Sequence, residues 1–320
     1  YKQYHLPKIT SVLSDLDVLP LLNELRPDFI FYHGLISYTI KDVVKYVKKH
    51  PQCKIVEDNH MDYNIGNKSN TLKEKIVRAW RCWLNRTTVP YVEKVYGVTP
   101  WRKTYAEDYF KIPADKTDVL IMGADDEKVN LVQKGEARKQ IRDRYHVSDK
   151  DFLIVTGGKI DKKKGIDVLT EACTNLDSRV KLLIFGCILD DVKKKMEALI
   201  SRCDNIIYIG WIDSESVYDY FFAADLVFFP GQHSVLWEQA CASKVPCVFE
   251  HWDGMDHVDN GGNSDFIENV TVKTIEEKIQ ELIFTDKYYR MKTVAESEST
   301  DIYMYSKIAE KSLECACVQK

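Results

Sequence analysis

At 320 residues the chain has room for two domains of the usual size, about 100–200 residues each. An apolar share of 45% can fill both cores, while a net charge of −4 argues against a general nucleic-acid binder or polyanion sponge. Nine cysteines, an odd number with no CxxC pair and no ligand-like Cys/His cluster, argue against a disulfide framework and a structural zinc module and favour a reducing, cytoplasmic setting.

Short β-branched and aromatic runs alternate with helical segments along the chain. The first half predicts strands at Asp28–His33, Lys54–Glu57, Lys94–Val98 and Asp118–Met122, with helices at Lys41–Lys49 and Lys73–Leu84 between them. The chain opens at Tyr1 on polar residues with no strand of their own, so the first βαβ segment of this unit is expected upstream. The polar segment Asp125–Lys150 reads as a seam. Beyond it, strands at Phe152–Thr156, Lys181–Phe185, Ile206–Ile209, Leu226–Phe229 and Pro246–Phe249 alternate with helices at Asp167–Leu176, Asp190–Ser201 and Ser216–Ala223. Most strand runs are continuously apolar, the mark of strands covered on both faces. Such alternation predicts α/β architecture with two doubly wound parallel sheets. The expected domains are 1–130 and 131–290, followed by a helical tail, 291–320, that packs back on the first. No stretch approaches the roughly 20 apolar residues of a membrane span.

The stretch Val155–Ala172, VTGGKIDKKKGIDVLTEA, leads from a strand through Gly157, Gly158 and Lys159 to Lys162–Lys164, Gly165 and a helix. Cations before a helix N-terminus oppose its dipole, which raises the question of an anion between them. Neither GxxxxGK[ST] nor GxGxxG fits, so a P-loop and a dinucleotide turn are excluded. The glycines permit a tight turn and close backbone approach. Lys159 at the strand end and Lys164 at the helix start can converge over the carboxyl edge of the sheet, where open α/β folds bind ligands. The competing reading is a solvated lysine loop.

Other polar groups fall at predicted strand ends in the first half: His33-Gly34 after DFIFY, and Asp58, Asn59, His60 and Asp62 after KIVE. A lone histidine such as His33 is more often a satisfied structural residue, whereas the denser Asp58–Asp62 cluster favours a site. Asp58, His60 and Asp62 could alternatively form a metal set. TLKEKIVRAWRCWLNR (Thr71–Arg86) is an amphipathic basic helix carrying Lys73, Lys75, Arg78, Arg81 and Arg86 among Ile76, Trp80, Trp83 and Leu84. Core packing on one face explains it, and so does a membrane-surface role. HWDGMDHVDNGGNSDF (His251–Phe266) is a third polar patch, in which the Gly261-Gly262 turn could approach a sugar ligand while Asp256 and Asp259 only solubilise the loop.

Taken with KLLIFG (Lys181–Gly186), IIYIGWIDSESVYDYFFAADLVFFPG (Ile206–Gly231), WEQACASKVPCVF (Trp237–Phe249) and VLIMGADDEKVN (Val119–Asn130), this order and spacing resembles the family 4 glycosyltransferases. The resemblance covers nearly the whole chain from Arg26 and is strongest between Val119 and Phe249. It implies the GT-B architecture, two Rossmann-like domains facing a cleft, and sugar transfer with retention. In that family a strand ending in Gly-Arg, then Lys-Gly before a helix, holds the donor diphosphate; Lys159 and Lys164 stand at those positions, leaving Lys162 and Lys163 solvated. Met122 replaces the asparagine of the family's Asn-Gly-Val-Asp segment. The family's paired glutamates match only in part. Alignment on Pro246 puts Gln239 at the second, ribose-binding glutamate with Glu238 one residue earlier, and PGQHSVLW replaces the first. That loop reads either as a turn into a buried helix with Trp237 in the core, or as a site where His233, Ser234 and backbone N–H groups face the donor phosphates. Both Glu238 and Gln239 remain candidates for the ribose. By resemblance His60 contacts the transferred sugar, His33 lies near the acceptor with Asp58 and Asp62, and no metal or cofactor beyond the donor is needed.

The resulting expectation is transfer from a nucleotide-sugar donor to a saccharide or lipid-linked acceptor, with no nucleic-acid partner. Lys159, Lys164 and the helix N-terminus after Gly231 would stabilise the departing diphosphate. Helix 73–86 would suit a cytoplasmic protein peripheral on the inner face of the cell membrane. The competing functions are a nucleotide-sugar epimerase of the same fold, using Asp58 or His60 as acid and base, and a non-catalytic nucleotide or carbohydrate binder.

Overall fold

The computed structural model describes residues 18–63, 71–129 and 131–317. The chain divides into two compact units, Tyr1–Ile121 with Ala309–Lys320, and Met122–Ile308. The segment Asp125–Lys150 belongs to the second unit, and the C-terminal helix crosses the division.

The first unit holds α1 (Leu19–Leu25), β1 (Phe29–His33), α2 (Ile40–Lys49), β2 (Lys54–Asn59), α3 (Leu72–Thr88), β3 (Lys94–Gly97), α4 (Pro100–Phe110) and β4 (Thr117–Val119). Its strands pair in parallel in the order β1-β2-β3-β4. Each connection is a helix, as parallel pairing demands. Ile55, Val95, Leu84, Tyr105 and Phe110 form the core with Val43, Val44 and Val47 of α2. Two buried residues of β2 are carboxyls, Glu57 and Asp58; Glu57 is 1% exposed and its Oε2 has no hydrogen-bond partner. Burial first, and then the negative charge of Asp58, push its carboxyl up to about 8. The folded chain therefore keeps a proton that the unfolded chain releases above its ordinary value of 4.5, and stability falls as pH rises from there towards 8. Glu57→Gln is expected to remove that slope, so its unfolding free energy from urea titration should match wild type near pH 5 and exceed it by about 2–4 kcal/mol at pH 8.

The second unit holds α5 (Lys134–Arg144), β5 (Phe152–Ile160), α6 (Ile166–Thr174), β6 (Val180–Ile188), α7 (Asp190–Ile200), β7 (Ile206–Gly210), α8 (Val217–Ala223), β8 (Leu226–Phe229), α9 (Leu236–Ala242), β9 (Cys247–Glu250), β10 (Ser264–Ile267), α10 (Val272–Leu282), α11 (Asp286–Ala295) and the first part of α12 (Tyr305–Cys317). All six strands are parallel, in the order β10-β9-β8-β5-β6-β7. The chain leaves the central β5 in one direction through β6 and β7, then returns to β8 and proceeds the other way. The switch point thus lies between β5 and β8, where Ile154 pairs with Leu226 and Val155 with Val227. Arg138 and Arg142 of α5 anchor this centre by gripping Asp225 through Oδ1 and Oδ2 respectively, and Oδ2 also accepts from Leu153 N–H.

The two parallel-sheet α/β units match the expected fold class, with one local difference. Gly157 and Gly158 do not form a turn; β5 runs through them to Ile160. Gly158 pairs with Gly186 of β6, which has φ +119°, and a Cβ at Gly186 would overlap the Gly158 carbonyl oxygen. The glycines therefore serve close approach of two backbones rather than reversal. Gly186→Ala is expected to cost roughly 3–4 kcal/mol, read as a fall in the urea midpoint, since both overlap and left-handed strain oppose it.

Candidate functional site

In the second unit the loops after β5 and β8 meet at the carboxyl edge beside the switch point, where open α/β sheets place ligands. After Ile160 the chain makes a single 3-10 turn, Lys162–Lys164, capped by the Asp161 side chain on Lys163 N–H. Gly231 lets the second loop press on it, because a Cβ there would collide with the backbone of Lys163 and Lys164. Gln232 N–H donates to Lys163 O at 2.9 Å. The Lys164 ammonium donates to the carbonyls of Gln232 (2.5 Å) and His233 (3.3 Å), so it is held at the crevice rather than swinging in solvent. Lys159 differs: its side chain is 64% exposed, with Asp161 Oδ2 at 3.4 Å. Lys162 and Lys163 are exposed.

The loop Pro230–Val235 then enters α9, which starts at Leu236 rather than directly after Gly231. Trp237 is fully buried and stacks on Phe249 at 4.5 Å. His233 turns inward, with its side chain 1% exposed and Nε2 donating to Glu238 Oε1 at 2.8 Å. Glu238 is itself 0% exposed, and His257 Nε2 donates to the same oxygen at 2.9 Å. Burial pushes the Glu238 carboxyl up, but the charge and hydrogen bond of His233, then those of His257, outweigh it and hold the group at about 2. Glu238 is thus enclosed by imidazoles, while Gln239 and Ser234 are partly exposed. His257 was not singled out by sequence, since it lies in the His251–Phe266 patch, well beyond Glu238. In that patch Asp259 organises the turn, accepting from Gly262 N–H and Ser264 N–H, and Asp256 is exposed.

In the first unit His33, the last residue of β1, pairs with Asp58, the last but one of β2, which brings them together at the carboxyl edge of that sheet. His33 Nδ1 lies 2.9 Å and His60 Nε2 3.1 Å from Asp58 Oδ2, and Gly34 N–H donates to Oδ1 at 2.8 Å. Burial alone would raise the Asp58 carboxyl; His60 and then His33 hold it below the usual range. The carboxylate is covered while the imidazoles are open, 73% for His33 and 38% for His60. Such an arrangement orients two imidazoles toward a ligand and can pass a proton between them and a hydroxyl. Asp62 does not join this group: it is buried and paired with Arg102 at 3.4 Å. Each histidine–carboxylate triad also brings its ligand-type atoms within 4.8 Å of one another, a donor set that a transition metal accepts.

Helix α3 runs to Thr88, with Leu84, Asn85 and Thr88 buried, but Leu72, Ile76 and Trp83 exposed. These three lie along the opposite stripe at helical spacing, flanked by Lys75 and Arg86. The stripe leads into a cavity of about 860 Å³ whose lining includes Trp83, Val89, Pro90 and Ile112, with Arg86, Lys111 and Lys116 as cations. The cavity opens at the amino edge of β3 and β4, away from His33, Asp58 and His60. No helix among the described residues is long and apolar enough to cross a membrane.

Solved structures resemble the chain throughout. A glycosyltransferase from Rickettsia africae ESF-5 superposes with a TM-score of 0.71 at 18% identity, covering 93% of this chain and 78% of that one. Anabaena Alr3699/HepE in complex with UDP gives 0.69 at 17% identity, covering 93% and 80%. UDP-GlcNAc 2-epimerase from Neisseria meningitidis, bound to UDP-GlcNAc, gives 0.53 at 16% identity, covering 93% and 79%. At these identities the likeness shows the fold, GT-B, and not the reaction. Among curated proteins no sequence matches. The family described as glycosyl transferases group 1 matches residues 137–296, the part that carries the switch-point crevice, the Lys164 clamp and the buried Glu238. That match spans half of the 320 residues, and the chain belongs to the glycosyl transferases group 1 family.

Proposed function

We propose that the protein transfers a sugar, with retention, from a nucleotide-sugar donor to a saccharide or glycolipid acceptor. The observation that carries this reading is the ammonium of Lys164, fixed by two carbonyls at the switch point of a group 1 glycosyltransferase unit. Charge builds on the diphosphate as the glycosidic bond breaks, and a cation already in place stabilises it without reorganisation. Lys159, exposed near the strand end beside Asp161, supplies a second cation. The UDP complex of the Anabaena protein supports a nucleotide-sugar donor.

Double displacement would need an accessible carboxylate nucleophile. Glu238 is enclosed by two imidazoles, and Asp58 by two more and an amide, which supports front-face attack with a donor phosphate oxygen taking the acceptor proton. His60 then contacts the transferred sugar and His33 the acceptor. Ribose recognition falls to the partly exposed Gln239. No metal enters this scheme, so chelation with EDTA is expected to leave turnover unchanged.

The open imidazoles around Asp58 also suit an epimerase, which would abstract and return a proton on the sugar. A panel of nucleotide sugars, incubated with and without saccharide acceptors, separates the readings. Transfer predicts nucleoside diphosphate release that rises with acceptor; sugar isomerisation without acceptor would favour the epimerase, and binding without turnover a non-catalytic role.

We further infer that α3 meets a membrane surface, in keeping with a lipid-linked acceptor. Its exposed Leu72, Ile76 and Trp83 beside Lys75 and Arg86 are the composition of an interfacial helix. Replacing Ile76 and Trp83 by serine and Lys75 and Arg86 by glutamine is expected to lower partitioning onto anionic vesicles at least tenfold, given about 1 kcal/mol per basic residue near the surface. Unaltered sedimentation with the vesicles would remove this part of the reading.

A further inference from the structure

The buried triad His233–Glu238–His257 joins two loops and the start of α9 at one edge of the second sheet. His257 belongs to the loop after β9, Glu238 to α9 after β8, and His233 to the loop whose carbonyl, with that of Gln232, grips the lysine after β5. From the far side Tyr303 OH donates to the His257 carbonyl at 2.9 Å, tying the same loop to the 3-10 segment Glu298–Tyr303. A continuous polar path therefore runs from Tyr303 through His257, Glu238 and His233 to Lys164. Burying an ionised carboxylate with its partners is costly, and well-packed apolar residues often serve stability as well or better. Packing alone thus gives no reason for this cluster at the ligand edge.

We propose that His257 is a positioning residue: through Glu238 and His233 it fixes the loop that holds the Lys164 ammonium over the switch point. In this arrangement Glu238 is an internal brace and not a ribose ligand. Both imidazoles must donate through Nε2 to one carboxylate oxygen, so loss of either donor frees the other partner to turn. An amide N–H at position 257 can replace the Nε2 donor, whereas a methyl group cannot.

The test compares ligand-free wild type, His257→Ala and His257→Gln by amide hydrogen exchange, a readout of local opening. His257→Ala is expected to speed exchange at least tenfold in 230–239 and in 162–166, with β6 and α7 unchanged, and His257→Gln to restore it. A rise confined to 251–262, or spread over the whole unit, would overturn the proposal, as would stoichiometric zinc in the purified protein that His257→Ala loses. A second arm titrates UDP into wild type, Lys164→Ala, His257→Ala and the double variant. This arm rests on the reading of Lys164 as a diphosphate ligand. His257→Ala is expected to weaken UDP about tenfold in wild type and not at all in the Lys164→Ala background; additive losses would contradict positioning through Lys164. Failure of wild type to bind UDP would count against a UDP-type donor, while the exchange result would still decide the brace.

Discussion

Lys164→Ala is expected to lower sugar transfer by about 10²–10³-fold with little change in the far-ultraviolet circular dichroism spectrum. The size follows from where the ammonium sits. It is not a surface lysine that water can replace, because Gln232 O and His233 O hold it at the crevice between β5 and β8. Removing it takes away a preorganised charge at the departing diphosphate and leaves two carbonyls without their donor, adding repulsion where the anion forms. Lys162→Ala, in an exposed position of the same turn, should change turnover less than threefold. Its contrast with Lys164→Ala separates a placed cation from a general basic field. Equal effects of the two variants would mean that only the overall charge matters.

The second large effect concerns stability. Glu238→Ala is expected to cost about 3–5 kcal/mol in urea denaturation, because it strands two buried imidazoles that share one carboxylate oxygen. The pH dependence fixes the cause. Glu238 is held at about 2 in the folded chain against an ordinary 4.5, so its contribution is fully present above pH 4.5 and is lost as pH falls toward 2. Glu238→Gln keeps shape and acceptor but removes the charge. Its deficit relative to wild type should therefore shrink as pH is lowered from 5 toward 3, and a deficit independent of pH would assign the effect to packing instead.

Much of the fold was legible because parallel strands covered on both faces read as unbroken apolar runs: FLIVT, KLLIF and LVFF fell where β5, β6 and β8 lie. The strand β10 was not, since SDFI is short, half polar, and sits among Gly, Asn and Asp residues that read as loop. The Gly157-Gly158 pair was read as permitting a tight turn and close backbone approach, and only the second is realised. A turn is a local property, whereas the approach to Gly186 depends on the register of a strand far along the chain. Lys164 was legible from its spacing to Gly165 and the helix. Its partners were not, because they are backbone carbonyls of a distant loop and carry no residue signature. The same limit hid His257, whose meaning depends on meeting Glu238 across a loop. Helix α3 misled in part, since Ile76 and Trp83 looked like core beside Trp80 and Leu84, yet the helix carries apolar residues on two faces and only one is buried.

Binding of a nucleoside diphosphate in the switch-point crevice through Lys164 can be read by calorimetric titration. UDP, GDP and ADP would each be titrated into wild type and into Lys164→Ala. One of them is expected to bind saturably at a single site in wild type, and at least about hundredfold more weakly in Lys164→Ala. Equal affinity in the two proteins, or no binding of any of the three to wild type, would contradict it.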